Sequence, residues 1–196
     1  MNDNLLKRGL YLEYITLAWN IVGSALVLAV AVSTGSVAFA GFGIDSLIEI
    51  FASVVVVWQL KNIGKQREGY ALRLISVAFF ALAIYVLLQS TTTLLSQSHP
   101  QTSVFGILWL AATLIAMLLL AWGKYQTGKK LNNAVLLTEG RVTLVDAYLA
   151  ASVLVGVLLN SLWGLWWADP LAALIVVYYG FRESLHAWHE SKRLSS

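Results

Sequence analysis

Residues 104–123 read VFGILWLAATLIAMLLLAWG. The run carries no charge and Thr113 is its one polar side chain, so as a helix it matches the roughly 20 apolar residues needed to cross the hydrocarbon core of a bilayer. Comparable stretches lie near 9–32, 36–60 and 70–95 before it and near 134–160 and 165–187 after it. The segments between them are short and rich in turn residues: Ser33-Thr34-Gly35, Gln97-Ser98-His99-Pro100-Gln101 and Leu162-Trp163-Gly164. The sequence therefore predicts an all-α membrane protein, a single domain over residues 1–196 built from six transmembrane helices. Span one follows Lys7 and Arg8 as a secretory leader would, but its apolar run is too long and lacks an obvious small-residue cleavage site. It is expected to be retained.

Composition supports this reading. Of 196 residues, 59% are hydrophobic and 12% are charged, whereas a soluble domain needs about a quarter of its residues charged. A soluble enzyme, a nucleic-acid binder and a disordered chain are thereby excluded. Cysteine is absent, which removes disulfides, thiolate metal sites and a cysteine nucleophile.

The 13 lysines and arginines set the expected orientation, because short loops rich in them stay cytoplasmic. Lys7 and Arg8 precede span one, and Lys61, Lys65, Arg67 and Arg73 surround the connection between spans two and three. Lys124, Lys129, Lys130 and Arg141 attend the next such loop, and Arg182, Lys192 and Arg193 close the chain. The opposite loops hold none, so both termini are expected in the cytoplasm. Trp58, Trp122 and Trp188 at inner ends, with Trp109, Trp163, Trp166 and Trp167 towards outer ends, fit the interfacial preference of tryptophan. The expected location is a multi-pass position in a membrane, the plasma (inner) membrane in a bacterium.

An ionised side chain at the bilayer centre costs about 2.5–3.5 kcal/mol on insertion scales, so intramembrane charges are functional candidates. Here they are acids. Asp45 and Glu49 in span two are four apart and share a helix face with Phe42 and Ser53; in span five Glu139, Thr143, Asp146 and Ala150 form one stripe. Counted from the cytoplasmic ends, Glu49 is about eleven residues up and Asp146 about twelve, at about 1.5 Å per residue. Asp45, Glu49 and Asp146 thus converge if spans two and five pack together. Glu139, about 10 Å below Asp146, belongs on an entry path, and Glu13 lies near the cytoplasmic end of span one. Arg73 and Arg141 are the basic residues expected to reach inward, and Arg141 points away from both Glu139 and Asp146. With no basic partner at the level of the three acids, a proton or a metal ion must come from outside. The competing reading is that the acids are protonated packing elements or are paired with arginines.

Other residues are open to two readings. Asn20, mid-membrane in span one, supplies a neutral oxygen ligand or joins helices by hydrogen bonding. His186 and His189 form a possible ligand pair or a solvated basic face, and His99 is a loop residue with an option on cation capture. Span four, with Thr113 alone inside it, is expected to face lipid.

These residues resemble the transmembrane part of the cation diffusion facilitator, or cation efflux, family. Asn20-x-x-Gly23, followed by Ser36-Val37-Ala38-Phe39-Ala40-Gly41-Phe42-Gly43-Ile44-Asp45-Ser46-Leu47-Ile48-Glu49, resembles the family's second-helix motif. Asp146, in Thr138-Glu139-Gly140-Arg141-Val142-Thr143-Leu144-Val145-Asp146, resembles its fifth-helix aspartate, and Trp167-Ala168-Asp169-Pro170 the start of its sixth helix. The resemblance implies a homodimer in which spans two and five meet around a transported metal while protons move the opposite way. Two features depart from the family pattern: Val142 stands where members often carry histidine, and no cytoplasmic domain follows span six, as in a short branch that includes vesicular zinc-transport relatives.

The expected function is divalent-cation efflux, metal against protons, with Asp45, Glu49 and Asp146 as metal ligands and Glu139, Asn20 and Thr143 in an outer shell or on the path. No cofactor is expected to stay bound; Zn, Mn and Fe(II) are the candidate cargo, and the bilayer and a second copy the expected partners, with no nucleic acid. The chain is not expected to be an enzyme, since its spans hold no Ser/His or paired His arrangement. The alternatives are a non-transporting membrane interaction or regulatory protein, and an organic-cation carrier using Trp19, Phe39 and Phe42 as an aromatic pocket.

Overall fold

The computed structural model describes residues 3–34, 37–61, 65–97 and 103–195. They form six helices in chain order: α1 (Asp3–Thr34), α2 (Val37–Lys61), α3 (Lys65–Ser96), α4 (Val104–Leu131), α5 (Ala134–Trp163) and α6 (Ala168–Ser195). Among the described residues five of the helices, α1 to α5, are long and apolar enough to cross a membrane. The exception, α6, turns polar in its second half, where Arg182, Glu183, His186, His189, Glu190, Lys192 and Arg193 follow one another. The chain is an all-α, multi-pass integral membrane protein.

The helices outrun the apolar stretches that mark them. The 28 residues of α4 rise about 42 Å, against a hydrocarbon core of about 30 Å. After the apolar run ends at Gly123, Lys124 to Leu131 are mostly good helix formers with no proline among them, so the backbone bonds continue. Lys124 therefore stands inside the helix, about 10 Å from its end, and not in a loop. Span four faces lipid along one side, as expected, and packs against the bundle along the other. One side of α4 does expose Leu108, Ile115, Leu119 and Trp122, but the other buries Leu110, Thr113, Met117, Leu120, Lys124 and Thr127.

Local chemistry fixes the α4–α5 hairpin. Ser103 caps α4, its hydroxyl accepting the Gly106 N–H at 3.2 Å, and Asn132 ends it in the left-handed region at φ 50°. Asn133 then caps α5 by accepting the Leu136 N–H at 2.8 Å. These two residues alone reverse the chain. Along the hairpin Gly140 meets the backbone of the facing helix: a Cβ there would stand 3.0 Å from Tyr125 N and 3.3 Å from Ala121 O. α5 ends at Gly164, φ 68°, whose N–H bonds Asn160 O. Pro170 lies in the first turn of α6, where its missing N–H does no harm.

The closest pairings are α3 with α6, α4 with α5 and α1 with α2, joined to one another through α5–α6, α2–α3, α1–α4 and α2–α5 contacts. Phe39, Val56, Leu60, Leu72, Ile75, Phe79 and Leu136 belong to the main apolar cluster. Ser76 and Ser184 tie α3 to α6 reciprocally, each hydroxyl donating to the other residue's carbonyl at 2.8 and 2.9 Å. Outward faces carry bare apolar side chains such as Val32, Leu95, Val104 and Leu108, as suits a lipid solvent.

Candidate functional site

The α2–α5 contact carries the residues on which the sequence argument rests. Glu49 is twelve residues in from Lys61, the end of α2, and Asp146 twelve in from Ala134, the start of α5, which puts both about 18 Å along their helices. Asp45, Glu49 and Asp146 are all buried, at 2%, 3% and 3% exposure. Their carboxyl groups are electrostatic neighbours, Asp146 lying within reach of Glu49 and then of Asp45. They are not drawn onto one point: among the described residues no three acidic or histidine side chains stand close enough together to hold an ion. Asn20 of α1 completes this layer by donating its amide to Glu49 Oε2 at 2.7 Å, which is the helix-joining reading of that residue. Asp45 Oδ1, Glu49 Oε1 and both oxygens of Asp146 are buried without a hydrogen-bond partner. Among the described residues, no lysine, arginine or histidine pairs with any of the three.

A second polar layer lies below it, towards the end of α2 and the start of α5. Lys124 is fully buried there, its Nζ 3.1 Å from Glu13 Oε2 and 3.2 Å from Glu139 Oε1, and it donates to Thr143 Oγ1 at 3.0 Å. Ser53, one turn below Glu49 on α2, donates to the same Glu139 oxygen at 3.1 Å. Four helices thus meet around one ammonium group. This corrects the sequence reading: Arg73 and Arg141 are not the basic residues that reach inward; Lys124 is. Glu139 is held by Lys124 and Ser53, and Thr143 also accepts from Lys124.

The signal for Lys124 is present in the chain. Two antiparallel helices joined by a two-residue turn lie side by side, so Lys124, eight positions before Asn132, comes within reach of its long side chain of Glu139, six positions after Asn133. Treating the end of the apolar run as the end of the helix hides it.

Arg141 points away from both layers as expected and pairs with Glu183 of α6 at 3.4 Å. His186 and His189 line an open cavity of about 740 Å³ together with Arg141, Arg182 and Glu183, where the two guanidinium groups outnumber the one carboxylate and disfavour a cation. The proposed aromatic pocket is not formed. Trp19 stacks on Trp109 with centroids 5.2 Å apart and donates to Thr113, in a cluster with Met117, whereas Phe39 and Phe42 are packed in the main core. His99 and Pro100 lie outside the described residues, as does the side chain of Asp169.

Residues 14–194, which include both polar layers except Glu13, match the family model described as the cation efflux transmembrane domain. The chain belongs to the cation efflux family. Two curated relatives of this cation efflux protein are similar over most of its length. One is transmembrane protein 163 of Xenopus laevis, 26% identical over an alignment of 193 residues that covers 92% of this chain and 67% of the relative. The other is an uncharacterized transporter of Synechocystis sp., 25% identical over 169 residues, 81% of this chain and 54% of the relative. The chain thus spans about two thirds of the first relative's length and about half of the second's.

Proposed function

We propose that the chain carries divalent metal cations across the membrane, holding the ion at Asp45, Glu49 and Asp146 and exchanging it for protons. The observation that carries this reading is Asp146: both of its oxygens are buried without a hydrogen-bond partner, beside two further carboxyl groups and with no ion pair among the described residues. Three carboxyl groups gathered at matched depth on two facing helices, with no basic partner among the described residues, leave oxygens that a cation can take. Family membership and the transporter named among the relatives support cation transport.

The chemistry follows from burial. In hydrocarbon, crowded carboxyl groups hold protons unless a cation replaces them. An arriving divalent ion releases those protons and draws the three side chains onto itself, which couples metal affinity to pH. Rocking of the helices then turns the site to the other face, where protons displace the metal. Carboxylate oxygen is a hard donor set that suits Mn and other hard ions and still binds Zn and Fe(II), so discrimination among them is loose. A homodimer, as the family resemblance implies, is the expected assembly.

Metal uptake into proteoliposomes under an imposed proton gradient tests the reading. Asp45→Asn, Glu49→Gln and Asp146→Asn each abolish uptake without loss of folded protein, since each amide keeps the size of the carboxyl group and adds no charge to the membrane interior. Normal uptake by all three variants would return the acids to a packing role.

A further inference from the structure

The lower polar layer has the make-up of a cation site with a resident. The ammonium of Lys124 has three hydrogens, and three oxygens surround it: Glu13 Oε2 at 3.1 Å, Glu139 Oε1 at 3.2 Å and Thr143 Oγ1 at 3.0 Å. They come from α1 and α5, while the lysine itself comes from α4. The acceptors exceed what one ammonium uses. Glu13 Oε1 and Glu139 Oε2 are buried with no hydrogen-bond partner, and Glu13 Oε2 touches Nζ as an ion pair without aligned hydrogen-bond geometry. A divalent ion, which releases any proton the glutamates hold, makes use of the oxygens that the ammonium leaves unpaired.

We propose that Glu13, Glu139 and Thr143 form a second cation-binding position, filled in this chain by the tethered ammonium of Lys124, which thereby holds the protein to one divalent ion per chain. The count of one rests on the carboxylate site proposed above; the second position does not. The stem of Lys124 enters from α4 and its charge sits between the Asp45–Glu49–Asp146 layer and the near ends of α2 and α5. The lysine acts as a fixed competitor: it contributes a cation that never leaves, and so keeps a transported ion from being caught a second time.

The test is a count of bound metal on the purified full chain at neutral pH, by equilibrium dialysis against Mn²⁺ and separately Zn²⁺ with the metal measured by mass spectrometry. The wild type binds one ion, and Lys124→Ala, which removes the ammonium and leaves room for a hydrated ion, binds two. Lys124→Gln, which keeps hydrogen-bond donation without the charge, also gains an ion, while Lys124→Arg stays at one. Adding Glu13→Gln and Glu139→Gln to Lys124→Ala returns the count to one. An unchanged count in both Lys124→Ala and Lys124→Gln overturns the second position and leaves the carboxylate site standing. A wild type that binds no metal while Lys124→Ala binds one overturns the carboxylate site and upholds the second position. Failure of both neutral variants to fold even with Mn²⁺ supplied also overturns it, because a free divalent ion should replace the tethered one.

Discussion

Gly123 and Gly140 lie in the same region of the α4–α5 hairpin, and the same substitution should be costly at Gly140 and nearly neutral at Gly123. A Cβ at Gly123 meets Leu12 Cδ2 at 3.1 Å and Cδ1 at 3.3 Å, the ends of a flexible side chain that can rotate aside. A Cβ at Gly140 meets Tyr125 N at 3.0 Å and Ala121 O at 3.3 Å, which are backbone atoms and cannot. In water a helical Gly→Ala change gains about 1 kcal/mol of propensity. In a membrane the inserted helix keeps its internal bonds even when its packing is lost, so most of that gain vanishes and packing decides. Overpacking against an unyielding wall costs about 1–3 kcal/mol. We therefore expect Gly140→Ala to lose about 1–2 kcal/mol and Gly123→Ala to stay within about 0.5 kcal/mol of wild type. Reversible unfolding in mixed detergent and dodecyl sulfate micelles measures both. Because the α4 backbone must retreat from Gly140, Lys124 retreats from Glu139, and Gly140→Ala should also weaken the lower layer. Equal stability of the two variants would refute the claim that the helices touch through their backbones at Gly140.

Asn20→Leu removes the amide that holds Glu49 Oε2 at 2.7 Å; a hydrogen bond to a charged group contributes about 1.5–3 kcal/mol, so metal affinity should change by about tenfold or more with folding retained, and an affinity unchanged in a titration would place Asn20 outside the site. A reporter fused after Ser196 should be accessible from the cytoplasm; access from the outside alone would reverse the orientation argument and the depths counted from it.

The sequence carried the class of fold because hydrocarbon sets a length and a polarity that apolar runs must meet, and the run at 104–123 meets both. It also carried the upper layer. Asp45 and Glu49 share a face by simple spacing, and equal step counts from opposite ends bring Asp146 to the same depth. What it did not disclose was where helices stop, since a helix ends where its backbone bonds find other partners and not where its side chains turn polar. Lys124 fell on the wrong side of that distinction, and with it the lower layer. The hydrogen bond from Asn20 to Glu49 was not legible, because it depends on a donor geometry that no one-dimensional pattern contains. The packing of Trp19 on Trp109 was equally out of reach, because it depends on how α1 crosses α4.

The tight turn at Asn132-Asn133 has a consequence for biogenesis. Lys124 and Glu139 stand in adjoining helices within fifteen positions of each other, so they can pair as soon as that stretch of chain has left the ribosome and folded back on itself. Helices entering one at a time would each bring a bare charge into lipid, at about 2.5–3.5 kcal/mol apiece. Entering together as a hairpin, they bring a partly neutralised pair, and Glu13, already delivered with α1, is waiting for it. On this route the order of charge compensation reverses the order of synthesis: the first acid to arrive, Glu13, is the last to be paired.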